Sequence, residues 1–336
     1  MTTVPVLHQS DTAAAGERLA WDGVPGRERC YRSIMRKLML LLDFARSRSA
    51  VLSLGEPALG ALLAYGAIPA GRVILLGLLA ALAGYHCVYA LNDLLDLRAD
   101  RREIAIKALQ PPVPNSEVLE LDIMNLRHPV AAGALPLWAG VTWVVGLGMV
   151  GLVAAYVLRP ICAWLFIVCA LLQVLYCALR HKTWLKILPA GTMVAVGGLA
   201  GWFAVGGPGW GALAFFVLLL FWEIAGRNLS NDLADVEHDR LVGIATLAAT
   251  HGPDAATKTI LWGAFAMPVI ALLQPGPWIV RILLAFVAVA TMTGPALLLN
   301  RTRGSRAAQH YFNRASLFPA GAAGCVAVSY LITRLL

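Results

Sequence analysis

Charge is scarce in this sequence. Asp, Glu, Lys and Arg make up 14% of its 336 residues, against 59% apolar ones, whereas a soluble globular chain carries about 25% charged residues. An ordinary water-soluble domain is therefore excluded. Cysteine occurs only at positions 30, 87, 162, 169, 177 and 325, with no C-x-x-C spacing. Five of the six fall inside apolar runs, where cysteine packs as a small hydrophobe, which argues against a disulfide framework or a zinc site. No G-x-S-x-G, P-loop or H-E-x-x-H occurs, so the chemistry of those motifs has no basis here. The N-terminal region also lacks a short apolar core followed by a cleavage pattern, so no signal peptide is expected.

What is present is apolar length. Nine runs, near residues 50–69, 73–92, 135–157, 160–179, 187–206, 211–230, 257–274, 278–299 and 316–335, approach or exceed the roughly 20 residues that cross a bilayer core as a helix. The expected class is an all-α polytopic membrane protein. Residues 1–31 read as a polar cytoplasmic tail and 32–336 as a single transmembrane domain. Alternating basic and apolar residues from Arg32 to Arg48 suit either a helix lying in the membrane interface or a cytoplasmic extension of the first span.

The formal charge of +8 is explained by where the basic residues fall. With nine spans and a cytoplasmic N-terminus, only Arg72, Arg159, Arg281 and Arg334 lie at the external side, and the other 23 of 27 Lys and Arg are cytoplasmic. This is the positive-inside asymmetry. The partner it implies is a lipid bilayer, with a bacterial inner membrane as the expected location. No aromatic–basic stripe for nucleic acid is present.

The acidic residues are concentrated in two places. Asn92–Arg101 reads N-D-L-L-D-L-R-A-D-R and Asn231–Arg240 reads N-D-L-A-D-V-E-H-D-R, at a constant offset of 139 residues, each closing an apolar run. On a helix, positions i, i+3 and i+7 share a face, so Asp93, Asp96 and Asp100 form one array and Asp232, Asp235 and Asp239 a second. Like charges stacked beside a bilayer persist most readily if multivalent cations neutralise them. An all-oxygen ligand set points to Mg²⁺, which binds through one or two carboxylates plus substrate phosphates. One such helix end reads as merely solvated, but two at equivalent positions four spans apart read as one metal–diphosphate site.

A metal-bound diphosphate also needs cations on its other face. Arg101, Arg127, Arg180, Lys182, Lys186 and Arg240 all lie on the cytoplasmic side. Arg46 and Arg48 lie close enough to the membrane to contribute, although most juxtamembrane arginines only orient a helix. Asn92 begins the first motif, and Asn228 lies one turn before Asp232. Glu223, an acid within a span, reads as the partner of Arg227 at i+4. Tyr89 and Tyr85, one and two turns before Asn92, read either as lining for a prenyl or cation pocket or as ordinary span residues. His86 reads as core. His128, His181 and His238 lie near the mouth without a metal-ligand pattern.

These residues resemble the UbiA superfamily of intramembrane prenyltransferases. Asn92, Asp93, Asp96 and Asp100 match its N-D-x-x-D-x-x-x-D motif. Asp232, Asp235 and Asp239 match its D-x-x-D-x-x-x-D motif, followed by a D-R-x-x-G-I-x-T-L run through Arg240, Gly243, Ile244, Thr246 and Leu247. Arg127, Pro129 and Gly133 match an R-x-P-x-x-x-G element, and Tyr176 with Lys182 or Lys186 a Tyr-plus-Lys element. The link between Asp100 and Arg127 is longer than in most members. The resemblance implies nine transmembrane helices around a central cavity with cytoplasmic cap loops. It implies Mg²⁺ at Asp93, Asp96, Asp100, Asp232, Asp235 and Asp239, with catalysis carried by Asp93, Asp96, Asp232 and Asp235. Asn92, Arg101, Arg127, Lys182, Lys186, Asn228 and Arg240 are the expected diphosphate contacts.

The implied activity, within isoprenoid biosynthesis, is Mg²⁺-dependent transfer of a prenyl group from an isoprenyl diphosphate to an acceptor, most often aromatic in this family. The alternative is a terpene cyclase of the same superfamily, whose ionising motifs would be identical. A cation transporter would need its acids near the bilayer midplane, and these lie at helix ends. The signature of a CDP-alcohol phosphotransferase is absent.

Overall fold

The computed structural model describes residues 25–108 and 128–335 of the chain. Every element of the described residues is helical. Two compact units divide between Met39 and Leu40. Helix α1 (Pro25–Phe44) supplies the described part of the first and runs into the second. In chain order there follow α2 (Ser47–Ser53), α3 (Gly55–Tyr65), α4 (Gly71–Leu95), α5 (Leu97–Ala108), α6 (Leu137–Leu158), α7 (Pro160–Leu179), α8 (Ile187–Val205) and α9 (Trp210–Phe221). Then come α10 (Leu229–Ala234), α11 (Val236–Val242), α12 (Leu247–His251), α13 (Pro253–Leu272), α14 (Trp278–Ala288), α15 (Gly294–Thr302), α16 (Ser305–Ala315) and α17 (Phe318–Leu335).

Eight stretches among the described residues are helical, long and apolar enough to cross a membrane. They correspond to the second through ninth expected spans. The first expected span, residues 50–69, is instead split between α2 and the eleven-residue α3. The split follows the sequence: Gly55 and Pro57 sit at the start of α3, and a first-turn proline is tolerated where a mid-helix one is not. Gly66, at φ 69°, closes α3 in the left-handed region that favours glycine.

Large apolar side chains such as Trp138, Trp164, Trp262, Trp278 and Phe286 are exposed. A water-soluble protein does not carry an apolar surface of that extent; here it is the lipid-facing belt of a multi-pass membrane protein. Inside, α3 and α8 approach closely through glycine. A Cβ on Gly201 would stand 1.9 Å from the Pro57 carbonyl oxygen, and one on Gly60 would stand 2.7 Å from that of Gly198. Within the small residues read at 197–201, Gly198 and Gly201 therefore serve close helix contact.

Two π-helical turns, Trp222–Asn228 and Val289–Thr293, interrupt the spans α9–α10 and α14–α15. The first shifts the face of the sixth span directly ahead of the second acidic motif. Such insertions are frequent at functional sites.

Candidate active site

Both acidic motifs break their helix at the middle aspartate. Asp96, at φ −89° and ψ 4°, separates α4 from α5. Asp235, at φ −98° and ψ 12°, separates α10 from α11. The i→i+4 hydrogen bonds continue through each break, with Asp100 N donating to Asp96 O at 2.9 Å and Asp239 N to Asp235 O at 2.9 Å. The sequence reading placed three carboxylates on one uninterrupted helix face. The structure bends each motif instead, at a residue in the bridge region of φ/ψ space where active-site residues are found. The repeat seen as text is thus a repeat in backbone geometry.

In the first motif Asp93, Asp96 and Asp100 are all buried. Arg46 Nη2 donates to Asp93 Oδ1 at 3.3 Å, and Arg180 Nη1 donates to Asp96 Oδ2 while lying 3.7 Å from Asp100 Oδ1. His128 Nδ1 stands 2.9 Å from Asp100 Oδ2 and 3.4 Å from Asp93 Oδ2. Among the described residues, no hydrogen-bond partner is found for either Asp100 oxygen or for the ring nitrogen. In the second motif Asp232 and Asp239 are buried, and the buried Lys186 donates from Nζ to Asp232 Oδ1 at 3.1 Å. Lys186 also lies 5.4 Å from the centre of the Tyr176 ring.

Arg180 and the residue after it tie the two motifs together. The Arg180 side chain serves the first motif. Its backbone carbonyl accepts from Ala245 N at 3.0 Å, and His181 Nδ1 lies 3.0 Å from Gly243 O, just past the second motif. Arg180 is also near enough to act electrostatically on Asp232.

The charge balance shifts the protonation of groups outside the spans. Burial pushes the Asp96 carboxyl up despite the Arg180 guanidinium. Burial, together with the charges of Asp232 and Asp235, pushes Asp239 up to about 7. Burial opposes the charged form of His128, but the carboxylates of Asp100 and Asp93 outweigh it and raise the imidazole to about 9. Carboxylates outnumber the cations packed among them.

The other expected site residues are placed differently. Arg101 and Lys182 are exposed, and Arg240 is exposed and paired with Glu237 at 3.1 Å. Asn92 Oδ1 accepts from the buried Gln173 at 2.7 Å. Asn228 donates to Glu223 Oε1 at 2.7 Å, and Arg227 lies 3.4 Å from Glu223 Oε2, so the expected Glu223–Arg227 pair is present. Asp235 is half-buried. Arg127 lies outside the described residues. His128 and Glu56 were not singled out as functional from sequence. For Glu56 a signal existed, since an acid within a membrane span marks a functional site by default.

Behind the acids lies an apolar cavity of about 440 Å³ between α3, α4, α7 and α8. Its lining runs along α4 from Tyr89 to Val73, with small residues such as Gly77, Ala81, Gly197 and Gly201, and it reaches Glu223 and Arg227 on the sixth span. At 1.5 Å per residue, Tyr89 to Val73 covers roughly 24 Å.

The acid set fits Mg²⁺. Apart from the half-buried Asp235, it consists of buried carboxylates, and several of their oxygens have no hydrogen-bond partner among the described residues, including Asp100 Oδ1 and Oδ2 and Asp232 Oδ2. One ligand atom from each of Asp93, Asp100 and His128 lies within 4.8 Å of the others. Because Mg²⁺ takes oxygen ligands, His128 fits better as a counter-cation than as a ligand.

A family model described as the UbiA prenyltransferase family matches residues 57–317. A digeranylgeranylglyceryl phosphate synthase of Methanoregula boonei is 29% identical over 157 residues, 45% of this chain and 54% of that protein. A decaprenyl-phosphate phosphoribosyltransferase of Mycobacterium tuberculosis is 29% identical over 115 residues, 34% of this chain and 32% of that one. The chain thus spans between a third and about half of the length of the curated relatives it matches. Among solved structures, a UbiA homolog from Aeropyrum pernix K1 superposes with a TM-score of 0.64 at 17% identity, covering 85% of this chain and 98% of that one. A UbiA homolog from Archaeoglobus fulgidus bound to GPP and Mg²⁺ gives a TM-score of 0.64 at 16% identity, covering 86% and 99%. These likenesses establish the same fold.

Proposed function

The chain belongs to the UbiA prenyltransferase family, and from that premise we propose that it transfers a prenyl group from an isoprenyl diphosphate to a small-molecule acceptor, with Mg²⁺ bound by the two aspartate motifs. The observation that carries this reading is a juxtaposition. Buried carboxylates with orphaned oxygens, interleaved with Arg46, Arg180 and Lys186, sit above a 440 Å³ apolar cavity. Few ligands other than an amphiphile with an anionic, metal-binding head and an apolar tail satisfy both ends.

Asp93, Asp96, Asp100, Asp232, Asp235 and Asp239 would hold the metal, which when bound stabilises negative charge on the diphosphate as the C–O bond breaks. Lys186, Arg180 and Arg46 now balance those carboxylates; with the acids neutralised, the same cations are available to the diphosphate oxygens. The cavity takes the tail and keeps water from the allylic carbon. An extended chain gains about 3.5 Å over three bonds, so a four-bond isoprene unit takes about 5 Å. A channel of roughly 24 Å then holds about five units. A relative named for geranylgeranyl chains supports a tail in this range.

An aromatic ring is the acceptor that the family resemblance implies, whereas the relatives' names contain a glyceryl phosphate and a phosphoribosyl group. The acceptor class proposed is therefore a small molecule with an electron-rich ring carbon or a hydroxyl oxygen. The membrane is a bacterial inner membrane, with the N-terminus and the active site cytoplasmic.

The test is diphosphate release from geranylgeranyl diphosphate by the purified protein in lipid, with and without Mg²⁺. Asp93→Ala and Asp232→Ala should each lower release by at least about 100-fold, the order of loss when one electrostatic stabiliser is removed from an active site, while the protein still inserts. Undiminished turnover in both variants would sink the two-motif site.

A further inference from the structure

The first acidic motif leans on one face of α7. Gln173, Cys177 and the capping Arg180 stand at i, i+4 and i+7 along that helix, positions that share a face. Arg180 donates to Asp96, at the bend in the motif. Gln173 and Cys177 serve Asn92, one turn before the bend. Gln173 is buried, and its Nε2 donates to Asn92 Oδ1 at 2.7 Å and to Cys177 Sγ at 3.2 Å. The Cys177 thiol in turn donates to Asn92 Oδ1 at 3.5 Å. Two donors from α7 thus converge on one oxygen of the motif's first residue.

A side-chain amide has two unlike ends, a carbonyl oxygen that accepts and an NH₂ group that donates. With Oδ1 held by α7, the end of Asn92 left for a ligand is Nδ2. That end has nothing to offer Mg²⁺, which takes oxygen ligands. It suits a diphosphate oxygen, which accepts. Asn92 could turn its oxygen to a metal only by releasing Gln173, and a buried donor left without a partner is costly. The motif already holds oxygens in surplus, with both Asp100 oxygens lacking hydrogen-bond partners among the described residues. A neutral donor beside those acids supplies what an anionic ligand needs and the carboxylates cannot give.

We infer that Gln173 is a positioning residue for the diphosphate: it fixes the Asn92 amide so that Nδ2 donates to a diphosphate oxygen, and it keeps the Asn92 oxygen off the metal. The inference rests on the diphosphate reading proposed above. It divides the first motif by role, with the acids holding the cation and Asn92 reading the anion. Gln173 interrupts an otherwise apolar stretch of α7, L-L-Q-V-L, and a glutamine in a membrane helix commonly bonds across to a neighbouring helix. Were it only such a glue between α4 and α7, its loss would loosen the bundle without acting through Asn92. Acting through Asn92 is the property that separates the two roles.

The experiment uses the full-length protein in phospholipid nanodiscs and reads binding rather than turnover. Calorimetry measures Mg²⁺ alone, and then geranylgeranyl thiolodiphosphate, whose C–S bond resists ionisation, at saturating Mg²⁺. Gln173→Met keeps the volume and removes the donor. It should weaken thiolodiphosphate binding about tenfold, the order for one hydrogen bond to a charged group, and leave Mg²⁺ alone within about twofold. Asn92→Ala should do the same. Gln173→Met added to Asn92→Ala should weaken binding no further, because the two residues act as one unit. Gln173→Leu carries the test if the Met variant does not assemble. Unchanged thiolodiphosphate binding in Gln173→Met, or additive losses in the double variant, would leave Gln173 a helix contact and overturn the inference. A loss of about tenfold or more in Mg²⁺ binding alone in Asn92→Ala would make the Asn92 oxygen a metal ligand and overturn it as well. Each of these results leaves the diphosphate reading standing. Absence of thiolodiphosphate binding to the unmodified protein overturns that reading, and this inference with it.

Discussion

Arg180 and His128 show how far single residues were legible. That a basic residue follows the fourth span was plain from the text. That its side chain turns toward Asp96 and Asp100, while Lys182 turns to solvent, depends on how the chain folds between α7 and α8. His128 belongs to no recognisable ligand spacing, and it reaches the acids from the far end of a long connection. Its ionisation is nonetheless consequential. Both His128, raised to about 9 from an ordinary 6.5, and Asp239, raised to about 7 from 3.8, bind protons more tightly in the folded protein. A raised group contributes stability that is complete below its unfolded value and lost as pH rises through its folded value. Asp239 therefore withdraws its contribution between about pH 4 and 7, and His128 between about pH 6.5 and 9. Without metal, the melting temperature in detergent should fall as pH rises across these windows. His128→Gln should flatten the upper part of the curve. A melting temperature that climbs from pH 6.5 to 9 would contradict the charge balance described for the first motif.

At the scale of elements, strongly apolar runs were legible because length and hydropathy are local properties. The exceptions have physical causes. The first run is divided because Gly55 stands against the Ala320 backbone, where a Cβ would come within 2.5 Å, and Pro57 follows. The breaks at Asp96 and Asp235 and the π turn at Trp222–Asn228 are local departures from a regular helix that a helical period does not encode. The glycines of α8 that line the cavity, Gly197 and Gly201, differ in how closely the neighbouring helix approaches them. A Cβ on Gly201 would strike the Pro57 backbone at 1.9 Å, whereas on Gly197 the nearest atom is the Tyr85 hydroxyl at 3.7 Å. Gly201→Ala should therefore destabilise the detergent-solubilised protein by about 1–3 kcal/mol, the range for overpacking. Gly197→Ala should leave the melting temperature nearly unchanged. Equal effects from the two substitutions would mean that α3 and α8 are not in close contact there.

For the whole molecule, the paired motifs and the basic asymmetry were sufficient to infer a membrane bundle with one acidic mouth, because both survive as patterns along the chain. The cavity was not, because it arises where four helices meet and each contributes residues unremarkable in isolation. Orientation follows from charge. If the Lys- and Arg-rich connections are cytoplasmic, the turn after α8 is external and the turn before α16 is internal. Gly207 and Ser305 mark these turns; both are exposed, and a Cβ on Gly207 would meet nothing within 4 Å. A membrane-impermeant maleimide added to intact cells should label Gly207→Cys and spare Ser305→Cys, and permeabilisation should expose both. The buried Cys87, Cys162 and Cys169 should add little background. Labelling of Ser305→Cys alone in intact cells would invert the topology. The aspartate mouth would then open outward, away from the compartment in which we place the diphosphate substrate.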